Sequence, residues 1–178
     1  MENKLERKSK DMKKLAAVAL ALVMLMAVPF GYAEEAEMPY EGEWVEFEDT
    51  LTVYLPSELA DVEISEELQE GGVYYIGTNA DSTRVMQFAW VATETEETNE
   101  TLLAQAQEQY GENAGTMEIN GLEYVYYVDE ANDLCTFMYV DPGFLGVYSF
   151  TIKPASDDEF ATMFGSVLAT VEYPEAAE

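Results

Sequence analysis

The sequence predicts an α+β domain: one antiparallel sheet of about six strands with two main helices packed on it. Its N-terminal half is β-rich, and the element order is strands, helix, three strands, helix. Three observations carry this. From Gly115 to Lys153 apolar residues recur at every second position, and the breaks at Asn120-Gly121, Asp129 to Asp133 and Asp141-Pro142-Gly143 hold turn residues. Between Thr98 and Gly111 the apolar period changes to three and four. It does so again after Ser156, where Phe160, Met163, Phe164, Val167, Leu168 and Val171 make one continuous stripe.

The chain begins with a stretch that reads as a bacterial Sec export signal. Lys4, Arg7, Lys8, Lys10, Lys13 and Lys14 form a basic start, and Leu15 to Val28 is an uninterrupted apolar run. Pro29 to Ala33 then ends in the small-x-small pattern that signal peptidase accepts. The run is shorter than the ~20 residues of a spanning helix, so cleavage after Ala33 is expected. A retained N-terminal membrane anchor is the alternative. Residues 34–43 are acidic and poor in apolar side chains, as a flexible leader is. Residues 44–174 then read as a single domain, and 175–178 as an acidic tail.

Trp44 to Phe47 alternates as a short first strand, and Leu51 to Leu55 is a clearer one, ended by Pro56, which has no N–H for a ladder. Pro56 to Gly72 is ambiguous: Val62 and Ile64 fit a brief strand, Ser65 to Gln69 a helical turn. Val73 to Thr78 is the next strand, and Arg84 to Thr93 follows a turn at Asn79 to Ser82. Met86, Phe88 and Trp90 share one face of that strand, while Val85, Ala89 and Val91 share the other. Two apolar faces place it in the middle of the sheet. The first main helix runs from Thr98 or Asn99, either of which can cap it, to Gly111, with Leu102, Leu103, Ala106 and Tyr110 facing inward. In the meander the aligned residues are Leu122, Tyr124, Tyr126 and Val128, then Leu134, Thr136, Met138 and Val140, then Phe144, Tyr148, Phe150 and Ile152. Ser156 and Glu159 have capping-box spacing for the last helix, Asp157 and Asp158 suit its positive end, and Pro174 stops it.

Charge excludes several functions. Six of the eight basic residues lie before position 15, so a chain cut after Ala33 keeps Arg84 and Lys153 against 33 carboxylates, a net charge near −31. Such a chain has too few cations to neutralise phosphates, which rules out nucleic acid, and it is repelled by anionic membranes. Such a surface reads as one kept soluble by self-repulsion, or alternatively as one adapted to calcium or to a basic partner. Arg84 and Lys153, each among many carboxylates, are expected in structural ion pairs. Cys135 is the sole cysteine, so no intrachain disulfide can form, and its place in a strand beside Phe137 reads as a small buried apolar residue.

The absence of histidine removes Ser-His-Asp and Cys-His catalysis and His-ligated zinc. One cysteine cannot build a thiolate metal site. Lys153 with Ser149 or Ser156 is the one conceivable nucleophilic dyad, though a lysine at a strand end usually snorkels. Paired carboxylates could in principle cleave glycosides, but carboxylates are too abundant here for any pair to be diagnostic. Trp44, Trp90 and the twelve tyrosines fall mostly at inward strand positions and read as core. Calcium is the most plausible ion: Asp129 and Asp133 bracket an acidic loop, and Glu94, Glu96, Glu97 and Glu100 crowd the first helix. Neither group has EF-hand spacing, so weak binding at most is expected, and no other cofactor.

The layout of N-terminal strands, a helix, a hairpin opened by Ile119-Asn120-Gly121-Leu122, further strands and the closing Phe160 to Val171 helix resembles the PsbP/Mog-like α/β/α sandwich. Leu51 to Pro56 followed by Tyr74-Tyr75 stands where that layout places its early strands. Members of that superfamily act mainly as binding or assembly factors, so the resemblance implies a non-catalytic module and carries over no site residues. The expectation is therefore an exported binding module whose partner is a protein or peptide at the cell surface. A divalent-cation-responsive envelope protein is the alternative, and a carboxylate hydrolase is last. The sequence does not set the oligomeric state.

Overall fold

The computed structural model describes residues 38–47, 50–141 and 144–173. The expected export signal, its cleavage point and the acidic tail lie outside these residues. Strands β1 (Gly42–Phe47) and β2 (Leu51–Pro56) pair antiparallel as a separate two-stranded sheet. The main sheet comprises β3 (Ala60–Asp61), β4 (Val73–Thr78), β5 (Val85–Ala92), β6 (Ala114–Ile119), β7 (Leu122–Asp129), β8 (Leu134–Val140) and β9 (Gly146–Lys153). Its spatial order is β3-β4-β5-β9-β8-β7-β6, antiparallel throughout. Three helices complete the described chain: α1 (Glu66–Glu70), α2 (Asn99–Tyr110) and α3 (Asp158–Leu168).

The α+β class stands, with more strands than the sequence showed. The ambiguous span after Pro56 holds both a two-residue strand and a short helix, and the meander has a fourth strand, β6, before Asn120-Gly121. That turn is what its residues dictate: Asn120 and Gly121 both take positive φ, 51° and 78°, and Ile119 faces Leu122 across it. The folded chain also reaches further back than Trp44. β1 begins at Gly42, and the Tyr40 hydroxyl donates to the Tyr54 carbonyl at 3.0 Å.

The sheet is covered on both faces. The β1–β2 hairpin and α3 lie on one face, where Leu51, Val53, Phe160, Phe164 and Val167 join Met86, Phe88, Phe137, Phe150 and Ile152 in the main core. On the other, Leu102 and Ala106 of α2 pack on Ala114, Val125 and Val147. Thus Cys135, Phe137 and Tyr139 face the main core while Met138 and Val140 face α2, and β8 is buried from both sides. Cys135 is 2% exposed, and burial pushes its thiol up to about 12.

Local chemistry fixes both long helices. For α2, the Thr98 hydroxyl accepts from Thr101 N–H and Thr98 N–H donates to Thr101 Oγ1, and Gly111 closes the end at φ 60°. For α3 the expected capping box does not form. Ser156 instead donates its N–H and hydroxyl to the two carboxylate oxygens of Asp133, at 2.9 and 2.7 Å. With that hydroxyl committed, Asp157 becomes the cap and accepts from Phe160 N–H at 3.1 Å. The helix also ends before Pro174 is reached. Thr170 Oγ1 donates to the Val167 carbonyl and accepts from Tyr54 N–H, and Glu172 pairs with Thr52, so the chain leaves α3 to dock on β2.

Arg84 behaves as expected. It pairs with Asp157 (2.9 Å), Glu58 (3.2 Å) and Glu159 (3.4 Å) and lies 5.5 Å from the centre of the Phe160 ring. Lys153 does not: it is exposed at the end of β9 and makes no ion pair among the described residues. Its neighbours Val85 and Ile152 offer no carboxylate.

Candidate functional site

β5 and β9 run antiparallel with Val85 opposite Lys153 at one end and Ala92 opposite Gly146 at the other. Arg84 and Lys153 therefore stand together at the first end. The far end holds neither cation, with Glu94, Glu96 and Glu100 exposed and Glu118 directly across from Glu123. Carboxylates stand at both ends, and what differs is where the two cations are.

At that acidic end the chain exposes two large apolar side chains in succession; Trp44 on β1, expected inward from its strand position, is 57% exposed as well. Phe144 is 71% exposed and Leu145 52%, and Thr93 N–H donates to the Leu145 carbonyl, bringing Val91 (45% exposed) alongside. Alternation had assigned Phe144 to a strand face beside Tyr148 and Phe150. It lies outside β9 instead, because Asp141 turns the chain there: its carboxylate accepts from Phe144 N–H at 3.2 Å and its N–H donates to Gly146 at 3.0 Å. Asp141 is itself buried and also accepts from the Trp90 indole N–H at 3.0 Å. The indole lies over Gly146 so closely that a Cβ there would sit 2.3 Å from a ring carbon. The apolar tip is thus mounted on a packed base of Trp90, Asp141 and Gly146. Nothing in the hydrophobic pattern separates this exposed pair from a strand interior; the Asp-Pro-Gly turn just before it was the one available signal.

Beneath the base lies a cluster of tyrosines. Tyr173 stacks on Tyr139 with ring centres 4.3 Å apart, its hydroxyl meets that of Tyr124 at 3.2 Å, and the Tyr148 hydroxyl donates to the Thr50 carbonyl at 3.1 Å. Burial raises the Tyr124 hydroxyl to about 12 and pushes Tyr74, Tyr148 and Tyr173 up as well. These phenols stay neutral, and the cluster serves as packing with hydrogen-bonded tips.

The two loop carboxylates expected from sequence to hold calcium, Asp129 and Asp133, already have hydrogen-bond donors. Asp129 accepts from Ala131 N–H, Asn132 N–H and the Asn132 side chain, and these contacts fold the loop back on itself. Asp133 holds Ser156, as above, at φ 53°. The two residues are therefore aimed at different tasks. Among the described residues no group of three or more acidic, cysteine or histidine side chains converges as a metal site. Glu97 accepts from the Thr101 hydroxyl at 2.6 Å and so supports the start of α2.

The catalytic alternatives find no matching geometry in the described residues that sequence had singled out. The Ser156 hydroxyl points to Asp133, not to Lys153, and Ser149 lies four residues from Lys153 along the same strand. Hydrogen bonds from Asn132 hold the Asp129 carboxyl below its ordinary range. A general acid needs the opposite shift.

No protein-family model and no curated protein sequence matches this chain. Among solved structures, the cyanobacterial PsbP (CyanoP) of Synechocystis superposes with a TM-score of 0.51, covering 83% of this chain and 100% of that one at 10% identity. The chain has a PsbP-like fold. A Bacteroides thetaiotaomicron protein, 17% identical, matches over 72% of this chain and 46% of its own at a TM-score of 0.46. At 10% identity the likeness to the cyanobacterial protein concerns the path of the backbone alone. The Phe144 tip and the carboxylates around it are read from this chain alone.

Proposed function

We propose that this protein is an exported, non-catalytic binding or assembly module that engages a protein or peptide partner at the cell surface through the Phe144, Leu145 and Val91 tip. The observation that carries the reading is the exposure of Phe144 and Leu145, 71% and 52%, on a packed base. Two adjacent large apolar side chains held largely in water are unfavourable by roughly 1–2 kcal/mol each relative to full burial, which a partner's pocket would recover. The PsbP-like fold is consistent with an accessory module, and the basic-apolar-small order of residues 1–33 with export. Carboxylates around the tip make an acidic, lipid-like surface a poor partner and a basic protein surface a good one.

The test is site-specific photo-crosslinking in cells that make the full chain. A benzophenone amino acid at position 144 is expected to give a discrete protein adduct outside the cytoplasm, and the same probe at exposed Glu67 on α1 none. Loss of the 144 adduct on substituting Leu145→Ser ties it to the tip. No adduct at 144, or equal adducts at both positions, would overturn the reading.

A further inference from the structure

We propose that the free edge of β6 accepts an extended, lysine- or arginine-bearing segment of another protein as an added strand, with one of its cations set beside Glu118. This deepens the binding-module reading and rests on it. The main sheet ends in two very different edges. β3, at one side, is only two residues long, which leaves little ladder to extend. β6, at the other, is six residues long, regular in its pairing with β7, and contains neither proline nor lysine.

The phase of the β6 backbone follows from the hairpin. Ile119 and Leu122 flank a two-residue turn, so they form a hydrogen-bonded pair, and Met117 and Gly115 repeat that orientation. Ala114, Thr116 and Glu118 therefore direct their N–H and C=O groups away from β7. Ala114 agrees with this phase, because its N–H donates to the Gly111 carbonyl. Among the described residues no backbone hydrogen bond outside the β6–β7 ladder reaches Thr116 or Glu118, and both are exposed. Two residues' worth of main-chain donors and acceptors thus stand open in strand geometry, which is the requirement for strand addition.

Charge selects the occupant. Glu118 sits directly across from Glu123, a like-charge pair that destabilises a ladder. Glu123 accepts from the Asn99 side chain at 2.8 Å, and neither carboxylate has a cationic partner among the described residues. Arg84 and Lys153 both belong to the opposite end of the strands. A strand added to β6 lies ~4.8 Å away, so a lysine or arginine on its face beside Glu118 neutralises the pair. A second copy of this chain would bring more carboxylates and no cation to that position. The Phe144 tip is at this same acidic end, so one basic partner can meet both.

Hydrogen exchange tests the edge with a defined probe. A short peptide alternating lysine and valine, added to the full chain, is expected to slow exchange at the Thr116 and Glu118 amides at least tenfold, without changing the rest of β6–β7. The same peptide with glutamate for lysine should do nothing. Glu118→Lys should reverse that preference, and Thr116→Pro, which removes one outward donor, should abolish protection. Equal effects of both peptides, or no protection by either, would overturn the proposal, as would protection that depends only on protein concentration. The last result would make the edge a self-association site. Because position 144 is read separately, an adduct there with no β6 protection would sink the edge alone, whereas loss of both would sink the binding module.

Discussion

Replacing Arg84 with methionine should destabilise the protein by about 2–3 kcal/mol near neutral pH, and the size of that loss should depend on acidity. The structure ranks the three ion pairs. Glu159 is 87% exposed and Glu58 49%, so water screens both, and each contributes roughly 0–0.5 kcal/mol. Asp157 is 28% exposed, bonds Arg84 at 2.9 Å and caps α3, and a charge-assisted bond in such a place is worth about 1.5–3 kcal/mol. Methionine keeps much of the packing on Phe160 and loses only the cation–π part, ~0.5 kcal/mol. Burial works to raise the Asp157 carboxyl, but the Arg84 hydrogen bond and the Phe160 N–H outweigh it, and the net shift is downward. A carboxylate depressed on folding adds stability above its unfolded value, ~3.9, and that contribution fades as pH falls through the folded value. The gap between wild type and Arg84→Met should therefore narrow below about pH 4. Urea unfolding followed by tryptophan fluorescence at fixed salt, near neutral pH and near pH 3, measures it. A loss under about 0.5 kcal/mol at neutral pH, or one of equal size at both, would refute the ranking.

Gly146→Ala should cost roughly 2–4 kcal/mol, because the new methyl must displace the Trp90 indole and break its bond to Asp141; a shifted emission maximum would report the displacement. Tyr74→Phe should be neutral or stabilising by up to about 1 kcal/mol, since the Tyr74 hydroxyl is buried without a hydrogen-bond partner among the described residues; a lower melting temperature would contradict this. Cys135 should react with a thiol reagent only at the rate of unfolding, and reaction that outpaces unfolding would show that the core around it opens locally. Millimolar calcium should raise the melting temperature no more than sodium chloride of equal ionic strength, because Asp129 and Asp133 are occupied by internal donors. A saturable shift specific to calcium would revive the cation-responsive reading.

What could be read from the sequence was local. The α3 stripe from Phe160 to Leu168 and the Asn120-Gly121 turn depend on residues within a few positions of one another, and both appear as expected, although Val171, the last of the stripe, lies beyond the helix. The adjacency of β5 and β9 joins residues such as Phe88 and Phe150, and no period within either strand announces it. The α3 cap failed for the same reason: Ser156 is drawn off by Asp133, which arrives from the β7–β8 loop. At the candidate site, Phe144 shares its residue type and spacing with core positions, so only the path set by Asp141 reveals it as exposed. The free edge of β6 was likewise invisible, because an edge is defined by which strand is absent beside it. Composition spoke most clearly about charge: with two cations beyond position 33, their collection at one end of the strands leaves the other end uniformly acidic.

The position of β9 between β5 and β8 has a consequence for the order in which the domain can be made. β4 and β5 emerge early and form a hairpin, and β6, β7 and β8 form a second ribbon, but the seam between them is supplied by the last strand of the sheet. Until Gly146 to Lys153 is available, β5 and β8 each present a raw edge lined with apolar side chains, which is the form most prone to mispairing. Closing such distant contacts also makes folding slow compared with that of a helical protein of similar length. A chain interrupted before Gly146 is therefore two unfinished sheets and not a smaller version of the domain.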